Sequence, residues 1–480
     1  MSDATAKREG RRKFQAIRGV RDLLPPETAL WTRVERTAHE VFATFGFGEV
    51  RLPLFEPTEL FARAVGGETD IVSKEMYTFL DPPIWSDILV KAAQLEDYDR
   101  VETAFAINPN LQQSVWLAEV LSLRPEATAS VCRAYIEHNM QQLPQPVKLY
   151  YMGPMFRRER PQKGRYRQFY QIGAEILGGP DAPAIDAEVI EMLMTFFEKC
   201  GLQGATLYIN SIGHNADNCR RGYVEKLRTE LTKIKDKLGA DSQRRIDTNP
   251  LRVLDSKLEH EQPYIEKLPH IADYLCDDCK ANYAGVKREL DLRGVTFHEN
   301  WRLVRGLDYY TRTAFEITAP GLGSQNAVCG GGRYDGLIEL LGGPPTKATG
   351  FAIGEDRLIL SLLENEKAKQ GSGGESGVRS ALATRRSTLI YIAWMGEKAY
   401  ATGLRATKTL RNAGFAVELP PTEQKFGKAL GQADKLGAKY ALILGDNEVQ
   451  SAQWTLKTLA TGEQSKIPEQ DLLQFLGTHK

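Results

Sequence analysis

The chain has no net charge: lysine plus arginine and aspartate plus glutamate each total 62 among its 480 residues. That balance excludes a histone-like or tail-driven nucleic-acid binder but leaves room for a local basic site, because phosphate binding depends on where charge sits. Also lacking is any apolar run near the roughly 18 residues of a membrane span, and none follows the charged amino terminus as a signal peptide would. Cysteine is scarce: six residues without framework spacing predict a reduced, cytoplasmic chain. There is no GxGxxG spacing, no GxxxxGK[ST] phosphate loop, no H-E-x-x-H and no G-x-S-x-G elbow, so dinucleotide, P-loop, zincin and serine-hydrolase chemistry are not expected. The seven histidines are scattered, and covalent catalysis by the protein is not expected. Apolar content is ordinary, with 42% hydrophobic and 26% charged residues, which excludes a disordered chain. The length suggests about three domains.

Residues 1–13 are polar and basic, and are expected to be flexible. Leu30, Val34, Ala38, Phe42 and Phe45 then share one helical face, closed by Gly46 and Gly48. A short strand over 49–52 should end at Pro53. The texture changes over 81–120, with Pro82-Pro83, Trp85, Trp116 and an acidic stretch near 96–102 that look like an insertion. Strands are predicted over 147–155 and 168–177, and a helix over 185–200 ending near Gly201. Residues 211–300 are charged and mostly helical between two β-rich regions, as an inserted domain would be. Strand signals return over 303–335, followed by a helix near 354–364. A glycine- and serine-rich linker spans 366–387. Beyond it, strands at 389–394, 416–419 and 440–444 alternate with helices at 397–413 and 425–436, a βαβαβ rhythm of a small α/β domain.

Several clusters could carry chemistry. The loop 156–167 holds six basic residues and one acid, and arginines suit bidentate contact with phosphate. In the strand after it, Phe169, Gln171, Gly173 and Glu175 share a face by the two-residue period. A glycine inside a strand is one sign of close ligand approach. In Leu123-Arg-Pro-Glu-Ala-Thr, an extended chain would put Glu126 and Thr128 on one face, although a capping role is the simpler reading of that segment alone. Arg305-Gly-Leu-Asp-Tyr-Tyr combines a cation, a turn, an acid and two phenols. Gly330-Gly-Gly-Arg-Tyr-Asp-Gly packs four glycines into seven residues, so its backbone must pass close to something. Cys276-Asp-Asp-Cys279 has metal-ligand spacing, but no second pair follows and four-coordinate zinc needs four ligands. With only His270 and His298 near in sequence, a reduced pair is expected and no residue is assigned to a metal.

Together these clusters resemble the histidyl-tRNA synthetases, a class II aminoacyl-tRNA synthetase family, from about residue 14 to the end. Gly19-Val-Arg-Asp-Leu-Leu-Pro, the helix and the strand closing at Pro53 resemble motif 1, which builds the family's dimer interface. Phe156-Arg-Arg-Glu-Arg through Gln171 resembles motif 2, and Gly350-Phe-Ala-Ile-Gly-Glu-Asp-Arg-Leu resembles motif 3. Arg305-Gly-Leu-Asp-Tyr-Tyr and Gly331-Gly-Arg-Tyr-Asp-Gly-Leu resemble the two signatures that mark the histidine enzymes within the class.

The resemblance implies an α+β fold. A catalytic core over 14–210 and 301–365 would form an antiparallel sheet flanked by helices, with an atypical insertion at about 83–119 and a helical insertion domain at 211–300. An α/β anticodon-binding domain would occupy 388–480. It implies ATP-dependent ligation of L-histidine to tRNA(His) through a histidyl-adenylate, with Mg2+ accompanying ATP, by a cytoplasmic homodimer without membrane attachment. Carried over by position, Arg157 meets the α-phosphate, Glu159 the adenine amino group, Phe169 the adenine face and Arg357 the γ-phosphate. Glu126, Thr128, Gln171, Glu175, Tyr309, Tyr310 and Tyr334 hold the histidine, and Arg305 is the catalytic arginine. Arg160 and Gln162 meet the tRNA acceptor end. Departures are Ala127 in place of a common glycine, Tyr170 in place of histidine, and the length of the 83–119 segment.

The competing reading is a catalytically inactive, histidine-binding regulatory paralogue of the synthetase. Such a protein lacks the carboxy-terminal domain and tends to lose the histidine signatures, whereas both are present here. Synthetases charging proline, threonine or glycine disagree with the two signatures, and class I enzymes need HIGH-like and KMSKS-like segments that do not occur.

Overall fold

The computed structural model describes residues 14–67, 69–81, 119–162, 164–322, 326–370 and 389–477. The expected flexible segment 1–13 and nearly all of the 83–119 insertion lie outside them, as does most of the expected linker, since the helix Glu355–Gln370 takes up its first residues. The chain divides into two units, Met1–Gly373 and Gly374–Lys480. No helix among the described residues is long and apolar enough to cross a membrane.

The first unit opens with the helix Glu27–Thr44, which buries Leu30, Trp31, Val34, Ala38, Val41 and Phe42 in a stripe of helical period. Phe45, expected on that face, instead forms the C-cap. The strand expected over 49–52 is shorter: β1 spans Gly48–Glu49, because the carbonyls of Leu52 and Pro53 accept from the Arg124 side chain instead of a neighbouring strand. A small sheet follows, built from β2 (Phe55–Pro57), β3 (Tyr77–Asp81) and β4 (Glu119–Leu123) in the order β2-β4-β3. Asp81 and Glu119 are paired across β3 and β4, so the long segment leaves and re-enters the fold at one point.

The main sheet adds β5 (Val147–Phe156), β6 (Gln168–Leu177), β7 (Thr206–Ser211), β8 (His298–Glu299), β9 (Thr311–Thr318), β10 (Ala327–Arg333) and β11 (Ala348–Gly354). Its order is β1-β5-β6-β11-β10-β9-β7-β8, antiparallel from β5 to β7 with a parallel strand at each end. The helix Pro183–Cys200 starts with a proline two residues before its expected bound and ends, as expected, on a left-handed Gly201 C-cap. Between β7 and β8 the chain is helical, with Arg220–Lys233, Ala240–Thr248 and Asp277–Leu292 as its longer elements.

The second unit has a five-stranded sheet of β12 (Leu389–Trp394), β13 (Ala416–Glu418), β14 (Tyr440–Leu444), β15 (Gln453–Thr458) and β16 (Gln464–Pro468), in the order β13-β12-β14-β15-β16. The parallel part, β12, β13 and β14, alternates with helices Glu397–Asn412 and Phe426–Lys435, close to the predicted rhythm. The antiparallel pair β15 and β16 has no counterpart in the sequence reading; its apolar residues are few and short-range.

Candidate active site

A cleft of about 700 Å3 opens on the main sheet of the first unit. Its floor follows from the register. One row of paired residues runs Tyr151, Gly173, Ala352, Gly330 and Glu316 across β5, β6, β11, β10 and β9. Paired residues face the same side of a sheet, so small side chains in mid-row leave a trough with larger groups at its ends. Gly173 was expected to make room for a ligand; the space above it is taken by the Tyr151 ring, which a Cβ there would meet at 2.3 Å. Gly330 does what its cluster predicts. A Cβ on it would meet the Arg305 guanidinium at 2.0 Å, so the glycine lets that cation lie against the sheet.

Arg305 donates to Glu316 at 3.2 Å and lies over the Tyr310 ring at 5.6 Å. Arg157 donates to the Pro125 carbonyl at 2.9 Å and stacks on Phe169 at 5.2 Å. Arg357 donates to the Ala327 carbonyl. All three line the cleft, so three guanidiniums converge where anionic phosphate could lie. Glu159 stands between Arg165 at 3.0 Å and Arg157 at 3.9 Å.

The opposite end buries carboxylates. Glu126 and Thr128 do not share an extended face. Instead the Glu126 carboxylate accepts from the backbone N–H groups of Thr128 at 2.7 Å and Ala129 at 3.0 Å, capping the helix Thr128–Glu137 whose first N–H groups have no intrahelical partner. Arg124 fixes this turn, donating to the Pro154, Leu52 and Pro53 carbonyls. Glu175 accepts from the Thr128 hydroxyl and from the Tyr334 hydroxyl, each at 2.7 Å. Burial pushes the Glu175 carboxyl up to about 8; these two donors oppose the shift and the nearby Glu126 charge adds to it. Burial also raises the Glu126 carboxyl, against its backbone donors. Gly350 makes the arrangement possible, since a Cβ there would fall 1.6 Å from a Glu175 oxygen.

Gln171 lines the same end, with a buried Oε1 that has no partner among the described residues. Tyr309 and Tyr310 complete the wall, their ring centres 4.8 Å apart. Glu175 and Tyr334 stand one layer behind it. Arg160 and Gln162 are exposed on the β5–β6 loop and do not line the cleft.

The second histidine-type signature splits in two. Tyr334 faces Glu175, whereas Arg333 is buried on Asp186 at 3.1 Å and Asp335 accepts from the Ala348 N–H at 3.1 Å. The sequence reading missed Glu316, the partner of Arg305. It also missed Arg245, Arg252 and Ser256, which bring the helical segment to the cleft wall. Charged residues on short helices carry no pattern that would single these out. Away from the cleft, the two histidines nearest Cys276 and Cys279 in sequence lie elsewhere: His270 stacks on Trp301 at 4.0 Å and His298 lies against Tyr208. The two cysteines gather His214 and Cys219 instead.

Comparison with known proteins agrees with this geometry. Residues 89–358 match the family model described as histidyl-tRNA synthetase, and residues 389–479 match the anticodon binding domain. The chain is 48% identical over 470 residues to the histidine–tRNA ligase of Koribacter versatilis, covering 97% of this chain and 96% of that one. It is 46% identical over 460 residues to the histidine–tRNA ligase of Solibacter usitatus, covering 96% and 98%. Among solved structures, apo histidyl-tRNA synthetase of S. aureus superposes with a TM-score of 0.70 at 33% identity, covering 96% of this chain and 99% of that one. With three arginines and the buried Glu126 lining a cleft on its antiparallel sheet, and Glu175 directly behind, the chain belongs to the histidyl-tRNA synthetase family.

Proposed function

We propose that this chain ligates L-histidine to tRNA(His) at the cleft in two steps. First, a carboxylate oxygen of histidine attacks the α-phosphorus of ATP; the bond to the bridging oxygen breaks and pyrophosphate leaves. Then a ribose hydroxyl at the tRNA 3′ end attacks the histidyl carbonyl and AMP leaves. The observation that carries the reading is the convergence of Arg157, Arg305 and Arg357 with Glu126 and Gln171 in one cleft. Displacement at phosphorus needs positioning and cations on developing charge more than covalent help.

In this reading Arg157 holds the α-phosphate, Arg357 the far end of the triphosphate, and Phe169 and Glu159 the adenine. Arg305 spans the attacking carboxylate and the α-phosphate, and Glu316 sets its position. Glu126 and Gln171, each a buried acceptor, take the histidine ammonium with Thr128. Glu175, one layer behind the wall that Tyr309 and Tyr310 complete, is assigned to the imidazole N–H through the Thr128 hydroxyl, which donates to it and lines the cleft. A site built to hydrogen-bond the ring rejects side chains that leave these groups unpaired.

Mg2+ would accompany ATP. Glu316 is a half-buried carboxylate beside Arg305 at the phosphate end, a donor set suited to an ion held mainly by nucleotide phosphates and water. When bound, the ion neutralises phosphate charge. Arg160 and Gln162, exposed on the loop whose Gly164 and Arg165 line the cleft, are assigned to the acceptor end.

A homodimer is supported by the small sheet. Phe55 and Phe79, in ring contact on one face of it, and Leu80 and Val120 on the other are exposed next to the motif 1 segment, apolar surface that a second copy would cover. Six free cysteines suit a reducing cytoplasm. The reading is tested by charging: the full chain with ATP, histidine and a tRNA(His) transcript should form histidyl-tRNA. Histidine binding without any charging would favour the regulatory reading instead.

A further inference from the structure

We infer that His214, Cys219, Cys276 and Cys279 form a structural zinc site in the helical segment between β7 and β8. Their donor atoms all lie within 4.8 Å of one another. The His214 Nδ1 is 3.2 Å from the Cys279 Sγ and 3.7 Å from the Cys276 Sγ. A tetrahedral zinc with bonds of about 2.0–2.3 Å needs ligand separations of roughly 3.5–3.8 Å, so small adjustments close the set around one ion. Three sulfurs and one imidazole nitrogen are a soft donor set that selects zinc over oxygen-preferring cations.

The backbone is arranged for these ligands. His214 follows β7 in a tight turn, and Cys219 immediately precedes the helix Arg220–Lys233. Cys276 caps the helix Asp277–Leu292 and Cys279 lies in its first turn. Gly213 has φ +63, and a Cβ on it would come 2.7 Å from the Cys219 sulfur, so the turn that presents His214 and Cys219 accepts no larger residue without strain. Cys219 and Cys279 are buried in the same apolar core as Ile212 and Leu275. In water-poor surroundings unligated thiols would serve only as packing, which explains neither the imidazole among them nor their convergence from two distant segments.

The site would pin the entry of the helical segment to its last long helix. That junction lies next to the cleft. The Gly213 carbonyl accepts from the Arg312 N–H at 2.7 Å, and Arg220 donates to the Tyr310 carbonyl. The ion would therefore hold in place both Tyr310 and the segment that carries Arg245 and Arg252 to the cleft wall.

The test is the metal content of the full chain, purified without chelator from zinc-replete cells. About one zinc per chain is expected, with Cys276→Ser and Cys279→Ser each losing most of it and Cys200→Ser, outside the cluster, retaining it. Replacement by cobalt should give the intense visible bands and near-ultraviolet thiolate charge transfer of a tetrahedral site. Because a serine variant can fail to fold, the cobalt spectrum of the unaltered chain decides independently. Less than about a tenth of an ion per chain, with no thiolate–cobalt bands, overturns the inference, as does a disulfide among Cys219, Cys276 and Cys279 in the freshly isolated protein.

Discussion

The two larger sheets of this chain bury different things. In the second unit the five-stranded sheet is packed by Ile390, Ile392, Leu442, Leu444, Trp454 and Leu456. The main sheet of the first unit buries Glu126, Glu175, Asp186, Gln171 and Arg333. Buried charge is costly unless paired and hydrogen-bonded. Arg333 and Asp186 are paired with each other, and Thr313 donates to the same Asp186 oxygen. Glu175 meets that condition only in part: its two donors do not offset desolvation, and its carboxyl stays partly protonated near neutrality. The residual cost sits one layer behind the end of the cleft proposed to take histidine, where the N–H groups of a bound ligand could relieve it. The second sheet has no such debt, since its unit buries no charged side chain among the described residues.

The largest effect that would sharpen this contrast is at Arg305. Arg305→Ala should lower histidine-dependent pyrophosphate exchange by about 10²–10³-fold, as for loss of one preorganised donor to developing charge. Histidine binding measured by calorimetry should change far less, and a wild-type exchange rate would remove Arg305 from the chemistry. In the second unit, Leu442→Ala should cost about 2–5 kcal/mol of that unit's stability by leaving a cavity. Exchange should be unaltered while charging of tRNA falls on warming. If exchange falls in step with unfolding of the second unit, the two regions are not separable as described.

A smaller effect belongs to Glu126. Glu126→Ala removes a helix cap of about 1 kcal/mol and an acceptor for the substrate ammonium, so the histidine KM should rise about tenfold or more with kcat less affected. An unchanged KM would leave Glu126 with the capping role alone. The smallest is the pH dependence set by Glu175. Its folded pKa, about 8, lies above the ordinary 4.5. Burial of its charge therefore costs nothing below that ordinary value and progressively more as pH rises toward 8. The free protein should lose stability over that window. Histidine donating its ring N–H favours the ionised carboxyl, so affinity should strengthen several-fold between about pH 6.5, where the free ring becomes neutral, and 8. A flat profile, or one unchanged in Glu175→Gln, would remove Glu175 as the titrating partner.

How much of this could be read beforehand differs between the regions for physical reasons. The parallel part of the second unit is legible almost to the residue, because apolar strands such as Leu389–Trp394 alternate with amphipathic helices over short connections. Glycine clusters are legible as sites of close approach, but not what approaches. Gly330 admits Arg305, Gly350 admits Glu175, and Gly173 admits Tyr151, a residue of the fold itself. Glu126 shows the limit of parity arguments, since a two-residue spacing places side chains only if the chain is extended, and here Thr128 begins a helix. Ligand sets assembled from distant segments are the least legible. Cys276 and Cys279 announce half a site, and nothing in spacing points to His214 and Cys219 far upstream.

The central claim is that the arginine end activates a carboxylate chosen by the buried-carboxylate end. Amino-acid-dependent ATP–pyrophosphate exchange by the full chain, run with each of the twenty amino acids, tests both ends at once. The account predicts exchange with histidine alone. Exchange with another amino acid at a comparable rate would contradict the assignment of Glu126, Gln171 and Glu175 to histidine, and no exchange despite measurable histidine binding would contradict the assignment of Arg157, Arg305 and Arg357 to catalysis.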